Sequence, residues 1–102
     1  MNLLKETKDT LDTYKVKPSD VKWVGYRDGS VAISWDEFEE IARHINYDDG
    51  FGSVEINERL VVVGDDWWLE RMEYDGSEWW EFKTLPKKSD NPSNILEIKH
   101  NE

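Results

Sequence analysis

The chain has 102 residues, of which 37% are hydrophobic and 35% charged, with 23 acidic side chains against 13 basic ones and a net charge of −10. That length bounds it to one domain with a modest core, and the absence of cysteine excludes disulfides, thiol catalysis and zinc sites built on thiolates. The acidity argues against direct binding to nucleic acid or to anionic membrane, which would both repel it.

Low hydrophobicity with high net charge leans toward disorder. Thirteen aromatic side chains argue the other way, since each can bury roughly 150–250 Å². The expected fold is α+β: a single domain over 1–102, with an antiparallel sheet of about four to six strands and two helices. An N-terminal docking helix falls in 1–17, the core in 21–86 and a polar tail in 87–102.

Residues 2–14 read as a helix, with Leu4, Leu11 and Tyr14 on one face and Lys5/Asp9 and Lys8/Asp12 as i,i+4 pairs. The sequence Lys17-Pro18-Ser19-Asp20 breaks it. A strand over 21–26 turns at Asp28-Gly29 and returns over 31–33. Ser34-Trp35-Asp36-Glu37 matches a capping box and opens a second helix over 35–46, with Phe38, Ile41, Ala42 and Ile45 facing inward. A glycine-rich loop follows at 47–53. Residues 54–56 read as a short strand, and Leu60-Val61-Val62-Val63 as one buried on both sides. Residues 67–74 and 77–84 form the clearest hairpin, closed by Asp75-Gly76. In the tail, Ile95, Leu96 and Ile98 fit an edge strand.

The hairpin carries two tryptophan pairs, Trp67-Trp68 and Trp79-Trp80. With a two-residue type I′ loop, Tyr74 faces Ser77. Trp67, Leu69, Trp80 and Phe82 then share a core face with Arg71, while Trp68, Glu70, Met72, Trp79, Glu81 and Lys83 take the other face. This register sets Glu70 opposite Glu81 and Glu73 opposite Glu78, and like charges directly opposed are destabilising. A three-residue loop with Gly76 in the left-handed region would break the first opposition. Adjacent indoles cannot both enter one core unless the sheet is covered on both faces, for example by the two helices.

Between residues 36 and 81 lie fifteen acidic residues and three basic ones, Arg43, Arg59 and Arg71. Acids at the start of the second helix, Asp36, Glu37, Glu39 and Glu40, have a structural explanation, because negative charge there opposes the helix dipole. The acids about the tryptophan hairpin lack that explanation and read either as a solvated face or as a binding surface. Asp65, Asp66, Glu70, Glu73, Asp75, Glu78 and Glu81, with Trp68 and Trp79, are therefore the candidate partner-binding residues. A dense anionic surface with aromatic anchors suits docking onto a basic partner. Asp48-Asp49-Gly50-Phe51-Gly52 lacks the calcium-loop spacing. His44 reads as a helix-end residue, and His100 lies in the tail. Paired carboxylates could serve glycoside hydrolysis, but so small a domain offers little room for a cleft. No catalytic residue, metal or cofactor is expected, nor any membrane span. Net charge favours a monomer by self-repulsion, while spare indoles favour a dimer; the monomer is preferred.

The segments Tyr47-Asp48-Asp49-Gly50-Phe51-Gly52, Val61-Val62-Val63-Gly64-Asp65-Asp66-Trp67-Trp68-Leu69-Glu70-Arg71 and Glu73-Tyr74-Asp75-Gly76-Ser77-Glu78-Trp79-Trp80-Glu81-Phe82-Lys83 resemble those of small uncharacterised proteins from phages and integrative elements of Gram-positive bacteria. In composition the chain is similar to anti-CRISPR proteins that imitate the charge of DNA. The resemblance implies a non-enzymatic inhibitor acting in the host bacterial cytoplasm. Its partner would be the basic DNA channel of a type II CRISPR effector nuclease. Two alternatives stand beside it: a phage accessory or assembly protein that self-associates through its aromatic hairpin, and a small carbohydrate-binding module that stacks sugars on indoles.

Overall fold

Asn2 starts the first helix: its side-chain oxygen accepts the Lys5 amide at 3.0 Å, which satisfies one of the donors a helix start leaves free. In the computed structural model, which describes residues 1–48 and 53–99, this helix, α1, spans Leu3–Thr13. Thr7, Thr10 and Thr13 each return their hydroxyl to the carbonyl four residues earlier, at 2.7, 2.9 and 2.9 Å. The buried stripe is Leu3, Glu6, Thr7 and Leu11. Leu3 therefore leads it where Leu4 was expected. Tyr14, expected on the inward face, is 49% exposed yet stacks on Phe82 with ring centroids 4.4 Å apart.

Strand β1 spans Trp23–Tyr26 and β2 Ala32–Ile33. Between them the backbone closes so tightly that a side chain at Gly25 would meet the Val31 carbonyl oxygen at 1.8 Å, so only glycine fits. Helix α2 spans Trp35–Ala42 behind the expected capping box: Ser34 Oγ accepts the Glu37 amide at 3.1 Å, and the Ser34 amide donates to Glu37 at 3.2 Å. The helix ends four residues before the expected 46. Amides 44 and 45 turn back to the carbonyls of Ile41 and Ala42 at 3.2 and 3.1 Å, tightening the last turn. So short a helix buries a narrow stripe, Phe38 and Ala42. Ile41, expected inside, is 55% exposed.

Strands β3 (Leu60–Val63), β4 (Trp67–Tyr74) and β5 (Ser77–Thr84) complete the sheet. Its order is β2-β1-β3-β4-β5, and every pairing is antiparallel. The result is the expected α+β fold, with two helices and a five-stranded sheet. Residues 54–56 form no strand. The amides of Glu55 and Ile56 instead donate to the buried Glu78 carboxylate, at 2.7 and 3.1 Å, which uses the donors a ladder would need. Among the described residues the tail forms no strand either, and Ile95, Leu96 and Ile98 are exposed.

Both helices feed one core. Leu3 and Leu11 of α1 and Phe38 and Ala42 of α2 join the cluster of Val24, Val62, Trp67, Leu69 and Trp80. The register aligns Ile33, Val24, Val62, Leu69 and Phe82 in a row across all five strands. Alternation sends their neighbours to the opposite face, where no helix packs among the described residues. Among the described residues no helix is long and apolar enough to cross a membrane.

Candidate binding face

The Asp75-Gly76 turn sets the geometry. Asp75 has φ of 51° and Gly76 φ of 86°, the positive pair that a two-residue type I′ hairpin requires. Tyr74 pairs with Ser77, and the register runs unbroken to Trp67 opposite Thr84. Trp67 and Trp80 are buried, Trp68 is half-buried and Trp79 is 38% exposed. Each tryptophan pair is thus split between the two faces. Trp67 is fixed by close approach: its indole lies within 2.1 Å of where a side chain at Gly64 would begin.

On the face away from the helices, two cross-strand rows stand side by side. One is Trp23, Val63, Trp68 and Lys83; the other is Gly25, Val61, Glu70 and Glu81. Met72 and Trp79 pair in the next row. Trp23, Val61, Val63 and Trp68, with Arg27, line a shallow groove of about 190 Å³. Val61 is buried here although no helix covers it. Sequence reasoning missed the contribution of Trp23. Its place in the alternation of β1 was the available signal.

The opposed carboxylates are relieved one at a time. Glu70 accepts the Trp68 indole N–H at 2.9 Å, and Glu81 pairs with Lys83 at 3.1 Å. That hydrogen bond and charge raise the Lys83 ammonium above its ordinary value. Glu73 is exposed, while Glu78 turns inward. Glu70, Glu81 and Glu78 thereby each have a partner of their own and Glu73 faces solvent, which lowers the expected cost.

Glu78 corrects the expected site. It is 3% exposed and lies inside a polar cluster that sequence reasoning did not assemble. Arg71 bridges Glu6 and Glu78 at 3.2 and 3.1 Å and donates to the Tyr47 hydroxyl at 3.1 Å. Tyr47 in turn donates to Glu6. The guanidinium lies 4.8 Å from the Trp80 ring centre, and the Trp80 indole N–H donates to Thr7 at 2.8 Å. Burial, and then the hydrogen bond to Glu6, push the Tyr47 hydroxyl well above its ordinary value. A buried guanidinium needs carboxylate partners, and Glu78 supplies one from the same face. The signal was present: alternation puts Arg71 and Glu78 on the side of Trp80. What sequence could not supply was Glu6, which arrives from α1.

The other expected residues remain at the surface. Asp65 is exposed and meets Lys22 at 3.5 Å. Asp66 pairs with Lys87 at 2.7 Å, and this hydrogen bond and charge hold its carboxyl below the usual range. Asp75 is exposed at the hairpin tip. The fold therefore brings Trp68, Glu70, Trp79 and Glu81 together on one face. Asp65 and Asp66 stand at one end of the hairpin, and Glu73 and Asp75 at the other. Of the acidic loop, Asp49, Gly50, Phe51 and Gly52 lie outside the described residues, as does His100. Among the described residues no cluster of His, Cys, Asp or Glu could hold a metal ion. Comparisons with family models, with curated proteins and with solved structures found no match to this chain.

Proposed function

We propose that the protein is a non-catalytic binding module whose open sheet face docks onto a basic surface of a nucleic-acid-handling protein and blocks it. One observation carries the reading. Trp23, Val61, Val63, Trp68, Met72 and Trp79 form an aromatic and aliphatic strip on the sheet face away from the helices, and Asp65, Asp66, Glu70, Asp75 and Glu81 stand around it, whereas Glu73 is exposed on the side of Arg71. Indoles supply buried anchor area, and the carboxylates stand in for the phosphates a basic groove is built to hold. The concrete form of the proposal is an anti-CRISPR inhibitor that occupies the positive DNA channel of a type II effector nuclease.

Several of these acids already have basic neighbours: Lys22 for Asp65, Lys87 for Asp66 and Lys83 for Glu81. Such exposed pairs are worth about 0–1 kcal/mol. Arginines of a partner can therefore displace them at little cost. Glu78 has no part in this surface, because removing its charge would disturb the core.

The test is competition for target DNA by the nuclease at several salt concentrations. The parent protein is expected to block DNA binding at micromolar excess. The triple variant Asp65→Asn, Glu70→Gln, Glu81→Gln should associate more slowly and lose salt dependence. Trp68→Ala should mainly speed dissociation, by roughly 2 kcal/mol if Trp68 is an anchor. Circular dichroism must match the parent for either variant to count. Undisturbed DNA binding and cleavage with the parent protein would defeat the proposal, as would full inhibition by the triple variant at every salt level.

A further inference from the structure

The sheet ends in two unlike edges. At one end, β2 is protected by being two residues long. At the other, β5 runs for eight residues, and among the described residues it pairs only with β4. Its register is free of bulges and it contains no proline. A long, flat edge is a template for another strand, and proteins that stay monomeric usually blunt it.

Hydrogen-bond phase shows what the edge can accept. The Leu85 amide donates to the Asp66 carbonyl at 2.8 Å. In an antiparallel ladder, bonding alternates along each strand. Residues 77, 79, 81, 83 and 85 thus turn their backbone groups toward β4, and Glu78, Trp80, Phe82 and Thr84 turn theirs outward. An antiparallel copy must bring outward groups against outward groups. Near the middle of β5 a two-fold axis can then pass at Trp79, Trp80, Glu81 or Phe82, and one at Trp79 sets that indole against itself with Glu81 opposite Ser77. An axis at Glu81 sets that carboxylate against itself. One at Trp80 puts Glu81 opposite Trp79 and leaves Lys83 opposite Ser77. An axis at Phe82 puts Glu81 opposite Lys83 twice, Trp79 opposite Leu85 twice, and Phe82 against Phe82. Pro86, with no N–H, would close the ladder.

We propose that a second copy of this chain pairs antiparallel with the β5 edge about a two-fold axis at Phe82, joining two five-stranded sheets into one of ten strands. The apolar side chains left exposed beside this edge are the ones the register consumes. Trp79 is 38% and Leu85 59% exposed. Tyr14, on the helix side, stacks over Phe82 and extends the aromatic contact around the axis. The net charge of −10 opposes association. At physiological ionic strength, however, exposed charges are screened beyond about 8 Å, while the two Glu81–Lys83 pairs act at contact. The proposal does not rest on docking to a basic partner, and its test uses the protein alone.

The measurement is solution mass by sedimentation equilibrium, from about 1 to about 300 µM. The parent should rise with concentration from 12.1 kDa to about 24 kDa, twice the chain mass. Lys83→Glu sets like charges against each other across the axis and should weaken association by about tenfold or more. Combining it with Glu81→Lys restores opposite charges and should restore the dimer. Thr84→Pro removes only an outward N–H at an edge position. It should give a monomer with the parent's circular dichroism, and it keeps the test alive if a charge variant fails to fold. A parent mass of 12.1 kDa at all concentrations would overturn the proposal. So would Lys83→Glu associating as the parent does, or growth past the dimer, which a closed two-fold contact forbids.

Discussion

Arg71 is the residue on which most of the interior converges. It reaches Glu6 on α1, Glu78 on β5, the Tyr47 hydroxyl and the Trp80 ring. Taking one partner out of a buried ion pair leaves uncompensated charge and costs about 3–5 kcal/mol. Arg71→Met should lose that much stability in urea denaturation, since it leaves two carboxylates facing an apolar side chain. Adding Glu6→Gln and Glu78→Gln should recover part of the loss, because neutral amides are cheaper to bury than carboxylates. A triple variant no more stable than the single one would show that the loss comes from packing. Glu78 also holds the 55–56 backbone through two amides, so its amide replacement should loosen that segment while leaving the sheet intact.

At the scale of elements, local chemistry and tertiary contact divide the work unevenly. Helix α2 is set by its own sequence. The Ser34 box is complete, and acids fill the first turn, where they oppose the dipole. Ser34→Ala should therefore cost about 1 kcal/mol, read as a lower melting temperature; an unchanged midpoint would show that packing of Phe38 alone holds the helix. Helix α1 depends more on what it touches. Its buried stripe includes Glu6 and Thr7, side chains that give no apolar signal and face inward only because Arg71 and Trp80 meet them. The hairpin of β4 and β5 is the reverse case, since its turn residues fix a register that carries through eight pairs.

For the whole molecule, charge is segregated: residues 1–84 carry −10 and residues 85–99 carry +1. The acids crowd the hairpin and the start of α2, and among the described residues the interior keeps one paired cluster. Tyr47 ties that cluster to pH. Its hydroxyl ionises near 10 in the unfolded chain and well above that in the fold, because burial and then the hydrogen bond to Glu6 disfavour the phenolate. A raised value stabilises the fold below the unfolded value and loses that contribution as pH climbs through the folded one. Stability should thus decline above about pH 10. Denaturation of the parent and of Tyr47→Phe between pH 8 and 11 checks this: the variant should be less stable at pH 8, and its alkaline slope should be shallower. Parallel slopes would assign the decline to the lysines.

The sequence by itself determined the α+β class, the two Asp-Gly turns and the Ser34 cap, and it narrowed the hairpin to two registers, of which the structure shows the two-residue loop. Each is encoded within a few residues by turn preference, capping chemistry or strand alternation. It also determined that the adjacent indoles must part to opposite faces. Tertiary structure alone decided that both helices cover one face and leave Trp23, Trp68 and Trp79 on the other. It decided too that Ile41 faces solvent and that Glu78 is an interior ion rather than part of the acidic surface. These outcomes depend on groups far apart in the chain, such as Glu6 and Arg71, separated by 65 positions. No local pattern records a partner at that distance, because what selects it is the cost of burying a charge alone.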